Sequence, residues 1–224
     1  MDEATGKAEP LTIDVVSDVV CPWCFIGKRR LENALAMRPD ISVVVNWRPF
    51  QLDGTIPKEG IPRQAYLERK FGSAERIREI YARVTQAGAL EGIPFAFEKI
   101  VRSPNTLAAH RLIRWAHAFD KQGVIKEALF QAYFIEGRDI GSVETLIDIG
   151  AAAGLEEAML VEFYDTEADV ESVQEEIAMA AKLGIQGVPF FIFGGTHAVS
   201  GAEAPETIVH GMEQALAGQT TGAA

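Results

Sequence analysis

Cysteine is scarce in this sequence: its 224 residues include only two, Cys21 and Cys24, which lie three positions apart. A disulfide across so short a loop would stabilise the fold little, because the loop-closure contribution falls with loop length. A zinc site would need two further ligands, and the four histidines show no close ligand spacing. We therefore interpret the pair as chemically reactive and expect no bound metal.

Long apolar runs and basic clusters are also lacking. No run approaches the ~20 apolar residues that span a bilayer, and the densest basic stretch, residues 28–30, is soon followed by Glu32. With a net charge of −11, nucleic acid and anionic membranes are not expected partners. The first ten residues lack the basic and apolar regions of a secretory signal, so we expect a cytoplasmic location.

The residues that are present indicate a globular α/β chain, since 48% are hydrophobic and 24% charged. Residues 11–17 (LTIDVVS) predict a strand. Pro22 suits the first turn of the helix that follows, and residues 41–47 (ISVVVNW) predict a second strand. This is a strand–helix–strand unit of the length that a parallel crossover requires.

The middle of the chain has helical patterns and one short strand-like piece at residues 94–97. The predicted helices cover residues 63–71, 74–87, 106–119, 122–136, 142–153, 156–164 and 169–183. A hairpin is then predicted from residues 188–193 and 197–201 around Gly194 and Gly195. A closing helix follows at residues 205–216, with Gly218 beyond its end.

These elements predict a thioredoxin fold, βαβ…αββα, interrupted by a helical insertion domain. The predicted parts are the N-terminal part of the thioredoxin domain at 10–52, the insertion at 53–168 and the C-terminal part at 169–218. Residues 1–9 and 219–224 are predicted to be flexible tails.

The cysteine pair lies where a strand leads into a helix. Unpaired N–H groups and the helix dipole stabilise a thiolate there, so we expect Cys21 to be an exposed nucleophile with a lowered pKa. Cys24, one turn further along on the apolar face, is expected to be the protected resolving thiol. Pro22 would tune the redox pair, and Trp23 would offer apolar surface to a substrate.

A second motif, Gly187-Val188-Pro189, precedes the predicted hairpin. A proline that opens a strand is unusual because it cannot complete the ladder. A cis bond before Pro189 could leave the Val188 backbone facing the sulfurs and a substrate, whereas an ordinary trans proline at a strand start is the alternative.

The chain resembles the DsbA-like thioredoxin-fold oxidoreductases, most closely the FrnE-like branch, which is related to 2-hydroxychromene-2-carboxylate isomerases and kappa-class glutathione transferases. The motifs that carry the resemblance are SDVVCPWCFIG at residues 17–27, WRPFQL at 47–52, PNT at 104–106, HRL at 110–112, FQAYF at 130–134, GVP at 187–189 and VSGA at 199–202. It implies that Cys21 and Cys24 are the redox pair, that Pro189 is a cis-proline facing them, and that the insertion forms one wall of the substrate cleft.

The expected function is a cytosolic dithiol–disulfide oxidoreductase, with disulfide isomerase activity left open, that acts on protein or peptide thiols and disulfides. It would need no cofactor, with glutathione open as a co-substrate, and would be a monomer or homodimer. One alternative is glutathione-dependent isomerisation or transfer on a small aromatic substrate, although those relatives typically have serine where Cys21 stands. The other is a chaperone-like binding module.

Overall fold

The computed structural model describes residues 9–221, of which the last three are described by backbone alone. The strands are β1 (Leu11–Ser17), β2 (Val43–Pro49), β3 (Ile61–Pro62), β4 (Arg102–Ser103), β5 (Phe190–Phe193) and β6 (His197–Ser200). The helices are α1 (Pro22–Met37), α2 (Arg63–Phe71), α3 (Ala74–Leu90), α4 (Leu107–Ala116), α5 (Gln122–Gln131), α6 (Val143–Ala152), α7 (Glu157–Tyr164), α8 (Val170–Lys182) and α9 (Pro205–Thr221).

A four-stranded sheet in the order β2-β1-β5-β6 organises the fold. Strands β1 and β2 are parallel, with Val15 opposite Trp47. Strand β5 runs antiparallel to β1, with Val15 opposite Phe191, and β6 is antiparallel to β5. Helix α1 makes the crossover from β1 to β2, so the expected thioredoxin fold is the fold observed.

The two faces of this sheet carry different layers because side chains alternate along each strand. Ile13, Val15, Phe191 and Phe193 belong to the main core, together with buried residues of α1 and α9. On the other face, Val16, Phe190 and Ile192 pack with Ala180 of α8 and with Ile185. The sheet is thus covered on both sides, and the C-terminal edge of β1 meets the first turn of α1 between these layers.

Helices α2 to α7 form the segment between β2 and α8. Its aromatic residues pack directly onto α1: Phe25 stacks on Phe130 at 4.9 Å between ring centroids and contacts Phe95 and Phe134. Phe130, Tyr133 and Phe134 are fully buried, as expected for core residues. The packing joins this helical segment to the thioredoxin part, while the exact division at residues 53 and 168 remains a prediction.

Several predicted boundaries differ from the structure. The second strand occupies Val43–Pro49 rather than 41–47, and residues 94–97 form no strand but lead into a 3₁₀ turn at Phe97–Lys99. The predicted helix 122–136 is α5 followed by a π-helical turn at Ala132–Glu136. Helix α9 continues through Gly218 to Thr221, so Gly218 does not end it; residues 1–8 and 222–224 of the predicted tails lie outside the described residues.

No helix within residues 9–221 is both long and apolar enough to cross a membrane.

Candidate redox site

Cys21 occupies the N-cap position of α1, in extended conformation with φ −93° and ψ 112°. Its carbonyl accepts the N–H groups of Cys24 at 3.0 Å and Phe25 at 3.3 Å, which form the first helical turn. Pro22 begins the helix, where the missing N–H has no partner to lose. This turn places Cys24 directly behind Cys21, and the two thiols interact as hydrogen-bonding neighbours.

The Val188–Pro189 peptide is cis, as the resemblance implies, and it lies against the cysteines. The Cys21 thiol donates to the Val188 carbonyl with 3.6 Å between Sγ and O. Pro189 packs on Gly27 of α1, so the loop before β5 is seated on the helix that carries both cysteines. Trp23, 38% exposed, is the surface residue of the motif.

The expectation of an exposed Cys21 is wrong: only 4% of its surface is accessible, against 1% for Cys24. The sequence placed Cys21 at a helix end, which is ordinarily open to solvent. Here residues far along the chain cover that end, because Val188 faces the sulfur and Cys21 belongs to the main hydrophobic core. Both cysteines are in the free thiol form.

The expected lowering of the Cys21 pKa is also corrected. The hydrogen bond with Cys24 and burial both raise the pKa of Cys21, and the charge of Asp18 adds to the effect. Burial also opposes ionisation of Cys24, but the hydrogen bond from Cys21, the positive charge of Lys126 and the Ser17 hydroxyl lower the pKa of Cys24 overall. The two thiols therefore lose their protons as an interacting pair.

Two polar residues beside the pair were not predicted as site residues. Asp18, 1% exposed, accepts the Leu52 N–H at 2.8 Å and faces His110 Nε2 at 3.3 Å. Nε2 also lies 2.9 Å from the Phe50 carbonyl, so it carries the proton that both oxygens accept. Burial lowers the pKa of His110 despite Asp18, so this histidine is a neutral donor that fixes Asp18.

Lys126 of α5 is a further residue that sequence reasoning missed. Only 1% of its surface is accessible, and its Nζ lies 3.5 Å from the Ser17 carbonyl and over the rings of Trp47 and Phe130. Burial lowers the pKa of Lys126 to about 8, although the charges of Cys24 and Asp18 oppose that shift. In the sequence it is one lysine among many, 102 positions after Cys24.

A small crevice of about 10 Å³ lies along Asp18 and Val20 and is walled on the insertion side by Arg63, Tyr66 and Tyr133. The Arg63 guanidinium donates to Ser103 and to the hydroxyls of Tyr133 and Tyr81. Within the part of the chain that the structure describes, its Nε is buried without a hydrogen-bond partner. The carboxylates of Asp18 and Asp53 line the same crevice as this cation.

Metal ligation has no geometric support in residues 9–221: no three His, Cys, Asp or Glu side chains there are grouped so that they could hold an ion. What the site provides is a dithiol whose two thiols interact, a backbone carbonyl facing the outer sulfur, and buried charged groups nearby.

A thioredoxin-type sheet, a dithiol at the start of its first helix and a cis-proline loop facing that dithiol define the thioredoxin-fold class. Residues 12–213 match the model of the DSBA-like thioredoxin domain family. The chain belongs to this family.

Solved structures agree with that assignment. A probable DsbA oxidoreductase from Streptomyces coelicolor is 28% identical, with a TM-score of 0.83 over 92% of this chain and 90% of that one. A 2-hydroxychromene-2-carboxylate isomerase, 15% identical, has a TM-score of 0.69 over 95% and 99%. The cytosolic disulfide reductase DsbM from Pseudomonas aeruginosa, described with GSH, is 20% identical, with a TM-score of 0.60 over 94% and 98%. The last two show the fold alone.

Proposed function

We propose that this protein is a cytosolic dithiol–disulfide oxidoreductase that exchanges disulfides of proteins or peptides through Cys21 and Cys24. The observation that carries the proposal is the position of the Cys21 thiol, which lies at a helix N-cap with the resolving thiol behind it and a backbone carbonyl in front. Family membership supports chemistry on thiols or disulfides. Cytosolic DsbM shares this fold, and a cytosolic location is part of the proposal.

The reaction begins at Cys21, the more accessible sulfur. The Cys21 thiol gives up its proton, and the resulting thiolate attacks one sulfur of the substrate disulfide. The other substrate sulfur leaves as a thiolate and is protonated. Cys24 next attacks Cys21 Sγ, the enzyme disulfide forms, and the second substrate thiol leaves. Oxidation of a substrate dithiol is the same path in reverse.

The substrate-binding roles of Trp23, Val188 and Pro189, and redox tuning by Pro22, belong to this proposal. Trp23 offers apolar surface next to the sulfur, and the Val188 carbonyl offers an acceptor to a substrate backbone. Because main-chain pairing is independent of side-chain identity, these contacts favour extended polypeptides of varied sequence.

Reduction of insulin disulfides by the protein, with a small dithiol present as the reductant, tests the proposal. We expect the wild type to accelerate precipitation of the insulin B chain, Cys21→Ser to abolish the acceleration, and Cys24→Ser to trap a mixed disulfide. A wild-type rate equal to the uncatalysed rate, or full activity in Cys21→Ser, would contradict it.

A glutathione-dependent reaction on a small aromatic substrate is the second candidate. The fold shared with a 2-hydroxychromene-2-carboxylate isomerase, and with DsbM described with GSH, is the observation that favours it. Turnover of a hydroxychromene carboxylate that requires glutathione and survives Cys24→Ser would support this candidate over protein disulfide exchange. Glutathione oxidation linked to insulin reduction would instead make glutathione the reductant of the first reaction.

A further inference from the structure

A cavity of about 330 Å³ lies at the edge of the central sheet, apart from the redox pair. The edge strand β2 forms one wall, and α4, α8 and the 3₁₀ turn at His117–Phe119 contribute the others. Neither the two cysteines nor the Val188–Pro189 loop lines this cavity. Its volume is at the small end of the range for ligand pockets, so it suits a molecule with one ring or two fused rings.

Hydrogen bonds and ring packing hold the walls of the cavity in place. The Gln122 side chain joins two of them, because it accepts the Trp47 N–H at 3.1 Å and donates to the Ile113 carbonyl at 3.1 Å. Trp115 stacks on Phe163 of α7 with 5.1 Å between ring centroids. Trp47 and Ile113 are buried. The cavity therefore offers fixed aromatic and aliphatic surface, the usual lining for a flat apolar ring.

The charged side chains that line the cavity already balance one another. Arg114 of α4 pairs with Asp169, at 3.0 Å between Nε and Oδ1, and with Glu176 of α8. Arg48 of β2 lies 3.6 Å from Glu176 and pairs with Asp14 of β1. Two guanidinium groups thus accompany two carboxylates in the lining. A ligand with a net charge would find no unmatched opposite charge there, so the lining favours a neutral molecule.

One buried hydrogen-bond acceptor at the cavity has no donor. His110 is 2% exposed and lines the cavity. Its Nε2 carries the proton that faces Asp18 and the Phe50 carbonyl, so Nδ1 has a free lone pair. No group within residues 9–221 donates to Nδ1, yet this nitrogen is not among the atoms that the fold encloses without a partner. It follows that the lone pair opens on the cavity, within reach of a ligand N–H or O–H.

We propose that this cavity binds a small, neutral aromatic molecule that donates one hydrogen bond, from an N–H or O–H group, to His110 Nδ1. The ring of the ligand lies against Trp47, Ile113 and Trp115. His110 meets the redox site only through its other nitrogen, which faces Asp18. The site is therefore distinct from the dithiol, and the inference does not depend on the proposed disulfide exchange.

A matched pair of probes tests the hydrogen bond. Indole is neutral and planar and has one N–H donor, and N-methylindole has a methyl group in place of that hydrogen. Ligand-observed NMR titrations with the full chain should show saturable binding of indole. N-methylindole should bind at least about fivefold more weakly, because it leaves the buried acceptor unpaired. Indoleacetate, which adds a negative charge, should also bind more weakly than indole.

Substitutions at the cavity locate the binding site. His110→Gln retains an amide N–H in place of Nε2 but has no counterpart of Nδ1, so it should bind indole and N-methylindole equally. Ala118→Trp places a large ring at the exposed rim of the cavity and should abolish saturable indole binding. Ala82→Trp, at an exposed position of α3 outside the cavity lining, is the matched control and should bind indole as the wild type does.

The results that would overturn the proposal are equally specific. They are no saturable binding of indole, equal affinities of the wild type for indole and N-methylindole, tighter binding of indoleacetate, or unchanged indole binding in Ala118→Trp. The probe pair and the Ala118→Trp comparison decide the matter even if His110→Gln does not fold. Insulin reduction by Ala118→Trp should equal that of the wild type, so a failure of disulfide exchange and a failure of indole binding are distinguishable.

Discussion

Charge at the redox pair is decided by single side chains that converge from separate elements. Ser17 ends β1 and Asp18 follows it, while Lys126 comes from α5 and His110 of α4 holds Asp18. The positive contributor lies behind the inner sulfur, while the carboxylate raises the pKa of the outer one. The helix N-terminus is therefore only one of several influences on the pKa values of the pair.

Replacing Asp18 isolates its contribution. In Asp18→Asn we expect the pKa of Cys21 to fall by less than about one pH unit, because a negative charge near the thiolate is removed while the amide oxygen can still accept the Leu52 N–H. Rates of iodoacetamide alkylation against pH, measured in a Cys24→Ala background, give the midpoint. Asp53→Asn is the control, since Asp53 is held by Thr55 and Arg69. An upward shift, or equal shifts in both variants, would contradict the expectation.

Gly27 makes the contact between α1 and the proline loop possible. A Cβ at this position would lie 2.7 Å from Pro189 Cγ and 3.4 Å from the Phe191 ring. Gly27→Ala should therefore lower the free energy of unfolding by about 1–3 kcal/mol through overpacking and slow disulfide exchange by displacing Pro189. Urea titration measures the free energy of unfolding of both variants. Gly123→Ala, in an exposed helical turn where a Cβ would lie 3.9 Å from the nearest atom, should be neutral or stabilising.

At the scale of elements, the interface between α1 and α5 holds the site together. Phe25 and Phe130 are fully buried and stack at an interplanar angle of 12°. The helix that carries the cysteines is thereby fixed against the helix that carries Lys126, and both halves of the chain contribute to one core.

Truncating the stack of Phe25 on Phe130 should lower the free energy of unfolding. We expect Phe130→Ala to lower the free energy of unfolding by about 3–5 kcal/mol, the range for a buried aromatic ring. Phe119→Ala removes a ring that is 42% exposed and contacts only Trp115 at its edge, so its cost should stay near 1 kcal/mol. Urea unfolding of both variants measures the difference, and comparable losses would show that burial of Phe130 is not what stabilises the interface.

Local patterns predicted some elements well and others poorly, for identifiable reasons. The first strand and α2 were predicted with their observed bounds, because β-branched alternation and flanking breakers mark them. The second strand begins two residues later than predicted because pairing of Val43 with Leu11 determines where the ladder starts. Strands β3 and β4 have two residues each, too few for any periodic signal, and α9 continues through Gly218 because a single glycine does not stop a packed helix.

The site shows the same contrast between features that local sequence predicts and features that tertiary contacts decide. Cys21, Cys24 and Pro22 share one short motif, and Pro189 has its own, so sequence alone could single them out. The burial of Cys21 and the lowered pKa of Cys24 depend on Val188 and Lys126, which only the tertiary fold brings near. Sequence spacing contains no information about such distant contacts, and for that reason the accessibility and pKa of Cys21 were predicted wrongly.

At the scale of the whole molecule, an ion cluster links the thioredoxin part to the helical segment. Glu127 of α5 pairs with Lys28 at 2.7 Å and with Arg29. Burial opposes its ionisation, but hydrogen bonds from Arg29, Gln131 and Lys28 lower the pKa of Glu127 to about 2. A carboxyl whose pKa is lower in the folded state stabilises the fold above its unfolded pKa and loses that contribution as pH falls through the folded value.

Acid should therefore weaken the wild type more than a variant without this carboxyl. We expect Glu127→Gln to be less stable than the wild type at pH 7 and the gap to close as pH falls from about 4.5 to about 2. Solvent reaches part of the cluster, which limits the size of the gap. Thermal unfolding across this pH range measures it, and Glu98→Gln, at an exposed position, should follow the wild-type profile throughout. A gap that is constant with pH would exclude Glu127 ionisation as its source.

The order in which the site is synthesised follows from the distance along the chain between its parts. Cys21 and the Val188 carbonyl it faces are 167 positions apart, which takes roughly ten to thirty seconds of translation. During that time a nascent chain carries both thiols with no loop to cover them, in reach of any oxidant or mispaired thiol nearby. The cysteine pair is thus synthesised well before the loop that encloses it, and it becomes buried only when the final hairpin has been made.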